Sequence, residues 1–161
     1  MIVRRSAWVD RPAHHLFDLI EAAEDYPKFL PWCVAATILT RDDALVCAEL
    51  RVAYAGVQLA VRTRNPKRRP EWMTIHLDRG PFRRFEGEWQ LRALTEDACR
   101  VDFTLDWEFD SALMTRLAGP VFERMANTMV DAFVQRADSQ ALKSSGAPPA
   151  AGLNPPATPA G

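Results

Sequence analysis

The most regular stretch of the chain is Val101-Asp102-Phe103-Thr104-Leu105-Asp106-Trp107-Glu108-Phe109-Asp110, with a large apolar side chain at every odd position. Successive side chains of a β-strand point to opposite faces, so this period of two predicts a half-buried antiparallel strand. Its apolar face needs a cover, while its mostly acidic face meets water. The stretch therefore predicts a sheet with one buried and one solvated face.

Six earlier segments show the same pattern less completely, and we predict that they are strands of the same sheet. These segments are 2–9, 34–41, 48–54, 57–63, 72–78 and 85–91. The alternation is clearest in 48–54, 57–63 and 85–91. Ala55-Gly56, between the third and the fourth, predicts a hairpin turn. Strand follows strand for most of the chain, which is typical of antiparallel pairing.

Helical patterns occur at the two ends of this run of strands. An early helix is expected after Pro12, and Tyr26-Pro27 ends it. A second short helical turn is expected over 25–30. After Asp110-Ser111 the apolar period becomes that of a long helix. One side of this helix carries Leu113, Leu117, Val121, Phe122, Met125, Met129 and Phe133.

The Gly119-Pro120 pair interrupts the long helical pattern. Proline removes an intrahelical hydrogen bond, so we expect a break or a kink at this point. Proline is also favoured at the first helical position, which would make the pair a helix start with Gly119 at the cap. A third interpretation is a hinge that lets the helix lift for ligand entry.

The order of elements predicts an α+β fold in which a curved antiparallel sheet of about seven strands wraps around the C-terminal helix. That helix is the one element long enough to cover the apolar face of the sheet. A single helix covers a curved sheet of this width incompletely. The sequence therefore predicts a gap between helix and sheet, lined by Phe, Trp, Met and Leu side chains.

Composition and charge exclude several classes of protein. The chain is 48% hydrophobic and 25% charged with a net charge of -1, which fits a packed globular domain and gives no general case for nucleic acid. Cys33, Cys47 and Cys99 are widely spaced and are expected to be reduced thiols, with no metal site. No stretch has the apolar length of a membrane span, so we expect a cytoplasmic protein, with peripheral attachment to the inner membrane left open.

The chain is expected to form one folded domain, residues 1–142, followed by a disordered tail, residues 143–161. Of the 18 residues from Ser144 to Gly161, 13 are Pro, Ala or Gly, and none is charged. Such a segment buries too little apolar surface to offset its loss of conformational entropy.

Three segments together resemble one known family. They are Tyr26-Pro27-Lys28-Phe29-Leu30-Pro31-Trp32-Cys33, Gly80-Pro81-Phe82-Arg83-Arg84-Phe85-Glu86-Gly87-Glu88-Trp89, and the helical stretch from Gly119-Pro120-Val121-Phe122-Glu123-Arg124 to Phe133. They are similar to the coenzyme Q-binding protein / ribosome-association toxin family of the START-like superfamily, which has the helix-grip fold and includes polyketide cyclases and lipid-transport proteins. The resemblance covers residues 1–142 and excludes the tail.

The resemblance implies three functions. The leading one is non-enzymatic binding of a polyprenyl quinone such as ubiquinone, or a similar lipid, in support of respiratory electron transport. The second is a toxin-like role, in which the protein binds the large ribosomal subunit and blocks subunit association. The third is a polyketide cyclase or aromatase-like enzyme. No cofactor is expected apart from a bound quinone.

The candidate ligand-binding residues come from the rigid aromatic corner 26–33, the apolar strand faces and the Met-rich side of the long helix. Each of these groups can equally be ordinary core, although Met adapts well to irregular apolar ligands. The candidates are Phe29, Trp32, Val52, Tyr54, Leu59, Phe82, Trp89, Phe122, Met125, Met129 and Phe133.

One basic run is a candidate surface-binding site. It consists of Arg62, Arg64, Lys67, Arg68 and Arg69, around Asn65-Pro66. Five cations in so short a span can bind phosphate, either in lipid headgroups or in ribosomal RNA, or can simply form a solvated loop. No aromatic residue interleaves the run, so base stacking is not indicated and DNA is not an expected partner.

No catalytic residues are predicted. The histidines are sparse, and His76 falls on the strand face opposite to Ile75 and Leu77. The carboxylates alternate onto the wet face, where burial cannot raise their pKa for acid-base work. Cys33 is interpreted as a small core residue because no base is placed near it.

Overall fold

The computed structural model describes residues 1–144 and contains seven strands and two α-helices within that range. The strands are β1 (Ile2–Val9), β2 (Cys33–Arg41), β3 (Leu45–Tyr54), β4 (Val57–Arg68), β5 (Trp72–Arg79), β6 (Phe82–Thr95) and β7 (Ala98–Phe109). The helices are α1 (Ala13–Glu21) and α2 (Ala112–Ser144), and a 3₁₀ helix (Ala23–Lys28) follows α1.

All seven strands form one antiparallel sheet in the order β1-β7-β6-β5-β4-β3-β2. Consecutive strands are neighbours, except that β1 pairs with β7, where Val3 lies opposite Leu105 and Val9 opposite Cys99. This confirms the predicted α+β helix-grip fold. The pairing explains why local alternation was informative, since each hairpin joins segments that are close in sequence.

The inner face of β7 forms the centre of the core. Its odd-numbered residues from Val101 to Phe109 are all buried, as the alternation predicted. The long helix α2 packs over this face through Phe122, Met125, Val130 and Phe133. Burial of so many large side chains under one helix is the main source of stability for this architecture.

β4 is longer than its sequence pattern predicted, ending at Arg68 rather than at Thr63. The inward alternation continues through Thr63, Asn65 and Lys67, which are polar. A period of two in hydrophobicity cannot reveal a strand whose inner face becomes polar.

The long helix corrects two expectations about Gly119-Pro120. α2 begins at Ala112, where the Ser111 Oγ accepts a hydrogen bond from the Met114 N–H at 3.1 Å, so Pro120 is not a helix start. The helix continues through Pro120, so the expected break is also wrong. Pro120 is exposed, and water can bond the carbonyl that proline leaves without an N–H partner.

The helix reaches Ser144, two residues beyond the predicted end of the domain. The rest of the predicted tail, 145–161, lies outside the described residues. Within residues 1–144, neither helix combines the length and the hydrophobicity needed to cross a lipid bilayer.

Candidate ligand-binding site

A cavity of about 80 Å³ lies between the inner face of the sheet and α2. Five consecutive strands, β3 to β7, form one wall, and α2 forms the other. The 3₁₀ helix and the end of α1 close one side. The lining is mostly apolar and includes Ala48, Leu50, Val61, Met73, Ile75, Phe85, Phe103, Leu105 and Ala126.

Small side chains on opposite walls keep this space open. Ala48 on β3 and Ala126 on α2 are both buried and both line the cavity. Larger neighbours such as Trp89 and Phe103 are packed ring against ring, with centroids 4.4 Å apart, and cannot move into the gap without breaking that contact. The cavity is therefore part of the packing, as the incomplete cover by one helix predicted.

Six of the candidate ligand-binding residues line the cavity. They are Trp32, Val52, Trp89, Phe122, Met125 and Met129. The two methionines lie one helical turn apart on α2 and face the strands across the gap. Unbranched, polarizable side chains of this kind can repack around an occupant.

The other five candidates lie elsewhere. Phe133 is core: its ring centroid is 5.2 Å from that of Trp89 and 5.3 Å from that of Tyr26. Phe82 stacks on Phe109 at 4.8 Å and does not line the cavity. Leu59 lies closer to the β3–β4 turn, and Phe29 and Tyr54 line a groove on the surface. The spacing of residues predicts which face of a helix or strand a side chain lies on. It does not predict whether that part of the element borders the cavity.

The surface groove adjoins the cavity. It runs between α2 and the segment 29–32, and Phe29, Leu30, Tyr54 and Thr128 belong to its walls. Trp32 and Met125 line both the groove and the cavity, so these two side chains separate the interior from solvent.

The polar end of the cavity was missed by the sequence interpretation. It is formed by Glu21 of α1 and by Thr63 and Asn65 of β4. Asn65 and Thr63 continue the inward alternation of Val61, and that parity is the signal that could have identified them. Tyr26 also lines the cavity, where its hydroxyl donates to the Ile20 carbonyl and burial raises its pKa well above the usual range.

A buried ion pair closes this polar end. The Lys67 Nζ lies 2.5 Å from the Glu21 Oε1, and the Lys67 side chain is only 4% exposed. The Arg41 guanidinium lies 3.8 Å from the same carboxylate oxygen and 2.6 Å from Glu24. Hydrogen bonding to Arg41 holds the pKa of Glu24 below its ordinary value. Ion pairs therefore link charges from four elements, α1, the 3₁₀ helix, β2 and β4, beneath the cavity.

This ion pair corrects the interpretation of the basic run. Lys67 faces inward and is buried, so it cannot bind an external surface. Arg62 pairs with Glu49 at 2.8 Å, Arg69 with Asp18 at 2.7 Å, and Arg68 with Glu71 at 3.5 Å. Acidic residues of α1 and β3 therefore neutralise most of the basic run. These acids are distant in sequence, so the charge pattern of the run alone could not reveal the pairing.

Arg64 is the exception within this run. It is exposed on the outer face of β4 and pairs with no acid among residues 1–144. Arg68 is also largely exposed, at 72% of its side chain, although it lies near Glu71. The basic surface is thus reduced from five cations to two.

Few cavity side chains can take part in acid-base chemistry. Glu21 forms an ion pair with Lys67. The acids on the outer face of β7 lie on the other side of the sheet from the cavity, where Asp106 pairs with Arg84 at 3.0 Å. Cys33 does not line the cavity, and burial raises the pKa of its thiol to about 11. His76 is exposed, as its strand parity predicted.

Known proteins show both sequence and structural similarity to the chain. Residues 9–134 match the family described as polyketide cyclase / dehydrase and lipid transport. The ribosome association toxin RatA of Pseudomonas aeruginosa is 41% identical over 135 residues, covering 84% of this chain and 94% of that protein. The mitochondrial coenzyme Q-binding protein COQ10 homolog B of Xenopus laevis is 26% identical over 131 residues, covering 76% of this chain and 52% of that protein.

Among solved structures, the Zhui aromatase/cyclase from Streptomyces sp. R1128 superposes with a TM-score of 0.79 at 17% identity, covering 91% of this chain and 98% of that one. At this identity the likeness concerns the fold alone. The family match, by contrast, spans every segment that lines the cavity. The chain belongs to the polyketide cyclase / dehydrase and lipid transport family, in the branch that contains RatA.

Proposed function

We propose that the protein binds a polyprenyl quinone such as ubiquinone, or a similar lipid with an oxygenated ring, without converting it chemically. The cavity between the sheet and α2 carries this proposal. Its lining is apolar over most of its extent and polar at one end, which suits a ring that bears oxygen atoms. The coenzyme Q-binding name of the Xenopus relative supports the same ligand class.

The size of the cavity limits how such a ligand is held. Pockets that enclose drug-sized ligands measure roughly 300–1,000 Å³, whereas this cavity is about 80 Å³. A ring can enter only if Met125 and Met129 repack, and a long chain must leave the cavity. The proposal therefore requires ligand-dependent movement of side chains on α2.

Mass spectrometry of an organic extract of the purified protein tests the proposal. The wild type should carry a quinone in stoichiometric amounts. Ala126→Leu adds three carbon atoms to a cavity wall and should abolish that cargo. Ala112→Leu, the same substitution at an exposed position of α2, should retain it. A wild type that yields no quinone or comparable lipid would contradict the proposal.

A second function is favoured by the RatA relative, which is 41% identical and named as a ribosome association toxin. On this alternative the protein binds the large ribosomal subunit in the cytoplasm, and Arg64 and Arg68 are the exposed cations of the basic run that could contact RNA phosphate. Sedimentation with purified large subunits tests it. Binding should weaken steeply with salt and with Arg64→Glu/Arg68→Glu, and a lack of sedimentation with large subunits at low salt would contradict it.

A further inference from the structure

We infer that the cavity holds its ligand in one orientation, with the oxygen-bearing ring against Thr63 and Asn65 and the chain leaving between Trp32 and Met125. This inference rests on the proposed function and specifies the chemistry of each end of the site. It assigns a ring-binding role to two β4 residues and a chain-binding role to the surface groove.

An unpartnered polar group marks the ring end. The Asn65 Oδ1 is buried and makes no hydrogen bond within the described residues. Thr63 is 7% exposed and lies two residues before Asn65 on the same inner face of β4. A buried acceptor without a partner is costly, so a reduced ring, whose hydroxyl can donate to the Asn65 Oδ1, gains affinity at this point. To the carbonyl of an oxidised ring, the donors at this end are the Asn65 amide N–H and the Thr63 hydroxyl.

The ion pair beneath these residues blocks the cavity at the same end. Because Lys67 and Glu21 already satisfy each other, they form a floor rather than an additional contact for the ring. A ligand cannot pass this floor without separating two buried charges. The chain of a ring bound at Asn65 must therefore extend in the opposite direction.

The opening lies at the far end. Asn65 pairs with Val46 on β3, whereas Cys33, next to Trp32, pairs with Val52. Six residues of extended strand separate these positions, about 20 Å at 3.3 Å per residue. Trp32 and Met125 stand between the cavity and the groove of Phe29 and Tyr54, so this groove is the path open to the chain.

The test compares two ligands in the wild type and in Thr63→Val/Asn65→Leu, which keeps side-chain size while removing the polar groups. The probes are decylubiquinone and decylbenzene, which carry the same chain on rings with and without oxygen, and binding is measured by calorimetry. The double variant should lose at least tenfold in affinity for decylubiquinone and less than twofold for decylbenzene. Thr74→Val, on the outer face of β5, should change neither.

Nuclear Overhauser contacts in the decylubiquinone complex test the orientation directly. Ring methoxy protons should contact the Thr63 methyl group, and chain protons the Met125 methyl group. The reverse pattern, or a double variant with unchanged quinone affinity, would overturn the inference while leaving quinone binding intact. A wild type that binds neither probe would instead remove the proposed function and this inference with it.

Discussion

Lys67 is the residue whose position differs most from its sequence interpretation. Within a run of basic residues it would be expected at the surface, yet it lies on the inner face of β4 and pairs with Glu21. Glu21 also lies near Arg41, whereas Lys67 contacts no second acid among residues 1–144. The two partners should therefore respond differently to substitution.

Glu21→Gln should lower the free energy of unfolding by about 3 kcal/mol, because it leaves the Lys67 ammonium buried without a counter-charge. Lys67→Met should cost less, since Arg41 still faces the Glu21 carboxylate. Urea unfolding of both variants measures the difference. The double variant Glu21→Leu/Lys67→Met should recover most of the loss, and one that stays as unstable as Glu21→Gln would contradict this account of the pair.

Cys33 gives a pH-dependent prediction. Burial raises its pKa from 9.0 to about 11 in the folded protein, so the unfolded chain loses this proton first. The free energy of unfolding should therefore be independent of this group below pH 9 and should fall as the pH rises toward 11. Cys33→Ala should show a shallower fall in alkaline denaturation. An unchanged slope would mean that Cys33 does not titrate in this way, and Cys47→Ala at a half-buried position is the control.

The alternation of the sequence identified which face of an element each side chain lies on. It did not show whether the side chain reaches the cavity or which residues it contacts. Trp89 and Met129, two of the predicted ligand-binding residues, line the cavity and lie near the middle of their elements. Phe133 has the right helical phase but lies one turn too far along, where the rings of Tyr26 and Trp89 fill the space. Whether a residue borders the cavity depends on how α2 packs across the sheet, and a local sequence pattern carries no information about that packing.

At the scale of elements, α2 tolerates a proline in its ninth position because that side of the helix is exposed. Pro120→Ala restores the missing intrahelical hydrogen bond. It should raise the free energy of unfolding by about 1–3 kcal/mol, the upper value being the full proline penalty. Urea unfolding measures the change.

The same variant tests the hinge interpretation of Gly119-Pro120. If flexibility there admits the ligand, Pro120→Ala should slow decylubiquinone association in stopped-flow measurements while the protein becomes more stable. A destabilised protein would contradict the energetic argument, and an unchanged association rate would contradict the hinge.

β4 shows why the polar end of the candidate site was missed. The strand was predicted only as far as Thr63 because its hydrophobic alternation ends there, yet pairing with β3 continues to Pro66 and pairing with β5 to Arg68. The polar end of the cavity begins where the hydrophobic alternation of β4 stops. Parity with Val61 places Thr63 and Asn65 on the inner face, but polar residues there give no hydrophobic signal that the strand continues.

For the whole molecule, the single antiparallel sheet and its covering helix followed from the sequence because hairpins and one long helix leave few alternative topologies. The charged surface did not, since Asp18 and Glu49 reach the basic run from other elements. The apolar gap was correctly expected, but its small volume was not, because the volume depends on which side chains, small ones such as Ala48 and Ala126 among them, meet at the cavity.

Titration of decylubiquinone into the purified protein, followed by quenching of tryptophan fluorescence, tests quinone binding in the cavity most directly, since Trp32 and Trp89 both line it. The wild type and Ala112→Leu should bind one equivalent with the same affinity, and Ala126→Leu should bind at least tenfold more weakly while remaining folded. Equal affinity in a folded Ala126→Leu variant would place the ligand elsewhere, and absence of saturable quenching in the wild type would contradict quinone binding altogether.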